Sequence, residues 1–144
     1  MFGQFPNGTA MIYMWPEKDH LKVFPWRGNH IDDTHRVLGL GLDGKLVVAP
    51  PGPPFGMPGG MLSINVDPTQ RKGGVLFASI TRTDDPTQSR GVLRAFDPIT
   101  LKELWNNSSE VYGCAKFVPP TIAGGRVFLP TCTKPRGEVL VYGR

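Results

Sequence analysis

The chain carries one two-strand motif three times, and its clearest copy reads Gly74-Val75-Leu76-Phe77-Ala78-Ser79 and then Gly91-Val92-Leu93-Arg94-Ala95-Phe96-Asp97. The other copies read Thr9-Ala10-Met11-Ile12-Tyr13-Met14-Trp15 with His20-Leu21-Lys22-Val23-Phe24, and Gly125-Arg126-Val127-Phe128-Leu129-Pro130 with Gly137-Glu138-Val139-Leu140-Val141-Tyr142. In each copy a β-branched and aromatic run leads through a turn into a second run that alternates apolar and variable positions. Such alternation is typical of strands with one buried face. The motif therefore predicts a repetitive β-array.

The spacing of the copies selects among repetitive β-architectures. Phe96 and Tyr142 lie 46 residues apart, whereas Phe24 and Phe96 lie 72 apart with a Pro/Gly-rich segment between them. A repeat of roughly 40–50 residues with about four short strands is the signature of a β-propeller blade. β-Sandwiches also contain many short strands, but those strands need not repeat a motif. We therefore expect an all-β fold built of propeller blades.

The segment 93–105 resembles the repeat of pyrroloquinoline-quinone-like β-propellers, which reads as an apolar strand, Ala-Phe-Asp, a turn with Thr-Gly, and Leu-Trp. The segment 115–131 resembles the last blade of secreted bacterial proteins of that superfamily. Elsewhere in residues 9–144 the resemblance is a pattern of strands only. Leu101 stands where the repeat usually has Gly, so the resemblance does not support a tight turn at that position.

The motif assigns structural roles to Asp97, Trp105, Pro119, Pro120, Gly124 and Gly125. Asp97 follows a strand, where its carboxylate can accept hydrogen bonds from backbone N–H groups and start a turn. Trp105 opens an outer strand, and we expect its ring to be buried between neighbouring blades rather than to stack on a ligand. Pro119-Pro120 is expected at the start of a strand near the central channel, because proline lacks a ladder donor. Gly124-Gly125 is expected to form the next hairpin turn.

The predicted strands fill fewer than three blades of one incomplete domain, residues 1–144. They are 9–15, 20–24 and 36–40 in a blade over 9–45; 60–65, 74–80, 91–96 and 101–105 in a blade over 59–107; and 117–123, 126–131 and 138–142 in a blade over 115–144. Residues 49–60 read as a Pro/Gly-rich connector and residues 1–8 as a loop. Propellers close with about 4–8 four-stranded blades. We therefore expect the C-terminal part of a propeller of about six to eight blades, whose edges need the missing blades or self-association for cover.

Other clusters of polar residues are interpreted as loops and turns. They comprise His20, His30 and His35 with Asp19, Asp32 and Asp33, and the run Asp84-Asp85-Pro86-Thr87. The histidines and aspartates are metal-type ligands, but residues 28–35 read as a loop and match no zinc spacing. No catalytic, cofactor-binding or metal-binding residue is assigned on this basis.

The two cysteines flank the predicted hairpin 117–131. Its turn would bring Cys114 and Cys132 together, so a disulfide is geometrically feasible. A disulfide would suit an oxidising compartment. Two buried free thiols are the other interpretation, and the sequence leaves both open.

Composition agrees with a β-rich chain that has many turns. The chain has 18 Gly and 15 Pro among 144 residues, roughly double their average usage. The net charge of +4 comes from scattered Lys and Arg, which favours a solvated surface over a nucleic-acid interface. No apolar run approaches the ~18 residues of a membrane-spanning helix. The N-terminal residues lack a signal-peptide pattern, as expected if the chain is a piece of a longer exported protein.

Two functions are consistent with this sequence. We expect a non-catalytic β-propeller scaffold or binding module for a protein or glycan partner, extracellular or periplasmic as the resemblance implies. The alternative is the C-terminal part of a pyrroloquinoline-quinone-dependent alcohol or sugar dehydrogenase, which would bind the quinone and Ca²⁺ on the propeller axis. That site needs acidic metal ligands and a catalytic Asp, whereas the aspartates of this chain fall in predicted turns. No cofactor is assigned, because a fold alone does not establish a function.

Overall fold

The computed structural model describes residues 1–4, 8, 10–17, 19–31, 59–66, 74–82, 85, 87, 89–110, 112–132 and 136–143. Within these residues the chain is all-β, and its strands form antiparallel sheets. In the same ranges there is no helix long and apolar enough to cross a membrane. The predicted all-β class is therefore confirmed.

Three sheets follow one another along the described chain, and each strand pairs with the next one in sequence. Sheet one contains β1 (Phe2–Gln4), β2 (Ala10–Met14), β3 (Lys22–Arg27) and β4 (His30–Ile31). Sheet two contains β5 (Met61–Asn65), β6 (Val75–Thr81), β7 (Gly91–Phe96) and β8 (Glu103–Asn106). Sheet three contains β9 (Thr121–Ala123), β10 (Arg126–Pro130) and β11 (Val139–Tyr142). Each copy of the motif thus forms a separate sheet.

The strands of sheets two and three lie close to where the alternating pattern predicts them, except that the predicted strand 117–123 begins only at Thr121, after Phe117 with its positive φ of 63°. Two predictions for sheet one were also wrong. Residues 1–8 are not all loop, because β1 pairs with β2 through Phe2 and Ile12. The predicted loop 28–35 contains β4, which pairs with the end of β3. Strands this short carry no alternation of their own, so their pairing is set by the neighbouring strand. The predicted strand 36–40 and connector residues 49–58 lie outside the described residues.

Sheet two is the middle layer, because β6 and β7 are buried on both faces. Successive side chains of a strand point to opposite faces. Leu76 and Phe96 accordingly join a buried cluster with Tyr13 of sheet one. Leu93 joins a second buried cluster with Leu129 of sheet three. Strands covered on both sides read as nearly continuous apolar runs, which is how Val75–Thr81 reads.

Specific polar and aromatic contacts fix sheet one against sheet two. The Tyr13 hydroxyl donates a hydrogen bond of 2.9 Å to the Pro98 carbonyl in the turn after β7. The Trp15 ring meets the Phe96 ring edge-on, with centroids 5.8 Å apart. The Gly60 N–H donates to the Trp15 carbonyl at 3.0 Å. A Cβ on Gly60 would lie 2.9 Å from the Trp15 ring, so only glycine allows this approach.

The segment 112–114 links sheets two and three through the backbone. Gly91 N–H donates to the Tyr112 carbonyl at 3.1 Å, and Cys114 N–H donates to the Ser89 carbonyl at 2.7 Å. On the other side of the segment, the Gly113 carbonyl accepts a hydrogen bond of 3.0 Å from the Cys132 N–H. The Tyr112 ring lies directly over Gly91, where a Cβ would come within 2.5 Å of it. The two sheets therefore share a hydrogen-bonded edge.

The turn between β7 and β8 forms without the glycine that the resembling repeat has. Asp97 Oδ1 accepts bonds of 2.8 Å from the N–H groups of Ile99 and Thr100, as predicted for this aspartate. Leu101 closes the turn with a φ of 54°, and its side chain is buried between sheets one and two. Burying a leucine side chain contributes about 1.5–3 kcal/mol. This gain offsets the ~1–2 kcal/mol cost of a left-handed conformation.

The connection between β6 and β7 is organised by Asp85, which is buried. Its carboxylate accepts bonds from the Thr87 hydroxyl at 2.5 Å and from the Ser89 and Arg90 N–H groups at 3.0 and 2.6 Å. The bond from Thr87 is the largest of several effects that hold the Asp85 pKa well below its usual range. The sequence predicted a turn here, and Asp85 caps it.

We expect Leu101→Gly to be a milder change than Leu101→Ala. Both remove a buried side chain, and the alanine variant should lose about 2–5 kcal/mol of unfolding free energy. The glycine variant should lose roughly 1 kcal/mol less, because glycine adopts a left-handed φ without penalty. Urea denaturation of both variants measures the difference. The same pair of changes at exposed Lys102 is the matched control, where alanine should be the milder. A glycine variant less stable than the alanine variant at position 101 would contradict this account.

We expect Asp85 to contribute to acid sensitivity. A carboxyl whose pKa is lowered by folding stabilises the folded state fully above its unfolded pKa, and this contribution is lost as the pH falls from about 4 through the folded pKa. The unfolding free energy of the wild type should therefore drop more steeply in this range than that of Asp85→Asn. Denaturation at a series of acid pH values checks it. Parallel curves for the two proteins would show that Asp85 is not coupled to folding.

Candidate functional site

An apolar groove of about 420 Å³ opens between sheets two and three. It is lined by Val75 and Phe77 of β6, Ala95 of β7, Leu104 and Trp105 of β8, and Gly125, Val127, Tyr142 and Gly143 of sheet three. Concave, mostly apolar surfaces of this volume are typical of ligand sites. Phe77 and Ala95 are cross-strand partners, so adjacent strands of sheet two supply one wall.

A β-bulge shapes this wall. Phe96 pairs with Glu103 and Ala95 pairs with Trp105, so Leu104 is an extra residue in β8. Bulges bend a strand and redirect its side chains. Leu104 and Trp105 are 54% and 43% exposed as a result. Two consecutive large apolar side chains on a strand are thus presented to solvent beside the groove.

Trp105 contacts sheet three, but it is not buried as the sequence predicted. Its ring meets the Tyr142 ring edge-on, with centroids 5.6 Å apart and planes at 62°. The opposite wall of the groove includes Gly125 and Gly143, which have no side chains to cover the indole. The strand pattern identified Trp105 as an interface residue, but it carried no sign of the bulge that exposes it.

Tyr142, which lines the groove, belongs to a hydrogen-bonded polar group. Asn107 is buried, and its Oδ1 accepts a bond of 2.7 Å from the Leu93 N–H. Its Nδ2 donates to the Tyr142 hydroxyl at 2.7 Å, and that hydroxyl donates to Glu110 Oε2 at 2.7 Å. Burial, reinforced by the bond to Glu110, raises the pKa of Tyr142 to about 12. These bonds fix the Tyr142 ring against Trp105. Sequence reasoning missed Asn107 and Glu110, which lie just after β8.

The proline and glycine pairs lie on either side of β9. Pro119 and Pro120 directly precede β9, with Pro119 exposed and Pro120 buried. The Ser63 hydroxyl of β5 donates to the Pro120 carbonyl, which joins sheets two and three at a further point. Gly124 and Gly125 connect β9 and β10 with φ values of 56° and 72°. Two positive φ values define the type I′ hairpin turn that favours glycine.

Cys114 and Cys132 are free thiols in this structure, one buried and one exposed. Cys114 is paired with Thr131, so Cys132 belongs to the next residue pair along the strands. Neighbouring residues of a strand point to opposite faces, which directs the two thiols away from each other. Burial raises the pKa of Cys114 to about 11. Hairpin closure brings the two segments together, as predicted, but the register separates the thiols.

Four of the described aspartate and glutamate side chains have clear structural partners. Asp19 pairs with Lys22 at 2.6 Å and Glu103 with Arg94 at 3.4 Å, while Asp85 and Asp97 cap turns. Within the described ranges no three His, Cys, Asp or Glu side chains gather in a way that could hold a metal ion. These residues therefore do not fit the acidic ligand set that a Ca²⁺–quinone pair requires. The candidate residues Asp32, Asp33 and His35 lie outside the described residues.

Comparison of the chain with models of protein families, with curated proteins and with solved structures finds no match.

We expect the two cysteines to differ strongly in reactivity. Cys132 is exposed, whereas Cys114 is buried with a raised pKa, and it is the thiolate that reacts. Iodoacetamide at mildly alkaline pH should therefore label Cys132 at least ~10-fold faster than Cys114. Mass spectrometry of proteolytic peptides measures both rates, and Cys132→Ser serves as the control for assignment. Equal labelling rates, or a protein that resists labelling until it is reduced, would contradict the arrangement described.

Proposed function

We propose that this chain is part of an exported, non-catalytic β-propeller scaffold that binds a protein partner through the apolar groove between sheets two and three. The observation that carries the proposal is the groove itself, in which Leu104 and Trp105 are half-exposed beside Tyr142. Half-exposed aromatic side chains in a concave apolar surface are typical anchors of protein interfaces. Export rests on the resemblance of residues 93–105 and 115–131 to secreted propeller proteins.

Stacking of successive meander sheets supports the propeller part of the proposal. Sheet two packs on sheet one through the face that carries the cross-strand pair of Leu76 and Phe96. Sheet three packs on sheet two through the face that carries the equivalent pair of Val127 and Tyr142. The same face of each sheet is thus turned to the preceding sheet. Repetition of one face-to-face contact is how propeller blades follow one another around a ring.

The chemistry of the groove favours a protein partner over a glycan. Its lining is apolar and aromatic, which suits an aliphatic or aromatic side chain of the partner. The hydroxyl of Tyr142, which lines the groove, is already bonded to Asn107 and Glu110. A glycan would have to replace those bonds to satisfy its own hydroxyls, because buried polar groups need hydrogen-bond partners. An apolar side chain needs no such exchange.

Selection of a phage-displayed random peptide library against the purified chain tests the proposal. We expect enrichment of peptides with an aromatic or large aliphatic residue, and binding at least about 10-fold weaker for Trp105→Ala. The matched control is Phe117→Asn, which removes another exposed aromatic ring outside the groove and keeps a residue that tolerates its φ of 63°. The control should bind as the wild type does.

Three results would contradict the proposal. Peptides that bind Trp105→Ala as tightly as the wild type would place the site elsewhere. Selective binding to a glycan array that depends on Trp105 would replace the protein partner with a carbohydrate. Reduction of an artificial electron acceptor by the chain with pyrroloquinoline quinone, Ca²⁺ and an alcohol or sugar would favour the dehydrogenase instead.

A further inference from the structure

Both outer faces of the three-sheet stack are mainly apolar, and each also carries one basic residue, Lys22 on sheet one and Arg126 on sheet three. The outward face of sheet one carries Ile12, Met14, Phe24, Trp26 and Ile31, of which Met14 and Ile31 are 44% and 41% exposed. The outward face of sheet three carries Phe128, Pro130, Val139 and Val141, of which Val139 and Val141 are 58% and 52% exposed. Apolar side chains concentrated on one surface mark an interaction site.

The two outer faces are equivalent to the two faces that meet where one sheet of the chain packs on the next. Sheet two packs on sheet one through the face that carries the cross-strand pair Leu76 and Phe96. Sheet three packs on sheet two through the face that carries the cross-strand pair Val127 and Tyr142. The equivalent pair in sheet one is Ile12 with Phe24. It lies on the face away from sheet two, because the alternate residues Tyr13 and Val23 face sheet two.

Sheet three presents the other half of this contact. Sheet two meets sheet three through Phe77, which pairs with Ala95. The corresponding pair in sheet three is Phe128 with Val141, and it lies on the face away from sheet two. The outward face of sheet one is therefore equivalent to the face through which sheets two and three pack on the sheet before them. The outward face of sheet three is equivalent to the face through which sheet two packs on the sheet after it.

We propose that the occupant of both faces is a second copy of this chain, bound head to tail, so that the outward face of sheet one on each copy packs on the outward face of sheet three of the other. The inference rests on the blade-like stacking in the proposed function and not on the groove. Two copies supply twice the three sheets that the described residues of one chain form, and that total falls within the ~4–8 blades with which propellers close. A head-to-tail contact forms a closed ring when its rotation closes.

A symmetric contact, with sheet three on sheet three, would place two faces of the same kind together. The internal junctions never do this: Leu76 and Phe96 meet residues of the opposite face of sheet one, such as Tyr13. Head-to-tail association repeats the internal arrangement, whereas face-to-self association requires a new one. The two modes make different predictions for mixtures of variants.

Sedimentation equilibrium of the full chain and of two variants tests the inference. Val141→Glu places a charge on the outward face of sheet three, and Ile31→Glu places one on the outward face of sheet one, opposite Trp26. Each alone should dissociate at least about 100-fold more readily than the wild type, because an unpaired charge would be buried at the contact. Both sites are exposed on the single chain, so the fold should tolerate them, and circular dichroism checks this.

Mixing the two variants distinguishes the modes. An equimolar mixture should associate one-to-one, because it retains one undamaged pair of faces, and a tagged copy of one variant should retain the other. Phe117→Asp, a charge at an exposed aromatic residue outside both faces, should associate as the wild type does. If Val141→Glu should misfold, Val139→Glu tests the same face.

A wild type that remains monomeric at high concentration would overturn the inference, as would an Ile31→Glu variant that associates alone as tightly as the wild type. A mixture that fails to associate would also overturn it. A monomer that still binds peptides through Trp105 would overturn this inference and leave the proposed function intact. A dimer that binds no peptide would support this inference and contradict the proposed function. The two proposals can therefore fail independently.

Discussion

Burial of β6 and β7 on both faces is the constraint on which the other features depend. Alternate side chains of these strands are buried against different sheets: Leu76 and Phe96 pack on sheet one, and Leu93 packs on sheet three. The few polar groups in this layer must be satisfied internally, because an unpaired buried donor or acceptor is costly. Asn107 does this for the Leu93 N–H. The turn at Asp97 and Leu101 then closes the sheet while it adds a leucine side chain to the same core.

The groove arises from the same packing. Sheets two and three touch closely where Leu93 and Leu129 meet. They separate where β8 carries its extra residue, Leu104, and where sheet three offers glycine at positions 125 and 143. Trp105 is therefore half-exposed for two reasons: the bulge in β8 turns it outward, and the glycines of sheet three have no side chains to cover it. Core and candidate site are two parts of one junction.

Several parts of this arrangement could be predicted from sequence because they depend on local chemistry. Two-residue alternation located the strands of sheet two, Asp97 identified the turn after β7, and Gly124-Gly125 identified the turn between β9 and β10 of sheet three. Features that depend on a single residue of register were not accessible. A one-residue difference in pairing turns Cys114 and Cys132 to opposite faces, and one extra residue in β8 exposes Trp105. The strand at Phe2–Gln4 is too short for any periodicity and exists because β2 offers it an edge.

The segment 112–114 has a consequence for how the groove would receive a ligand. Its backbone is hydrogen-bonded to Ser89 and to Gly91, the first residue of β7, on one side and to Cys132, just after β10, on the other. Main-chain bonds of this kind hold the distance between the two walls more rigidly than side-chain contacts do. A fixed orientation of the two sheets, which together line the groove, would leave less conformational entropy to be lost when a partner binds. Preorganisation of this kind favours a partner whose side chain matches the groove as it stands over one that would have to reshape it.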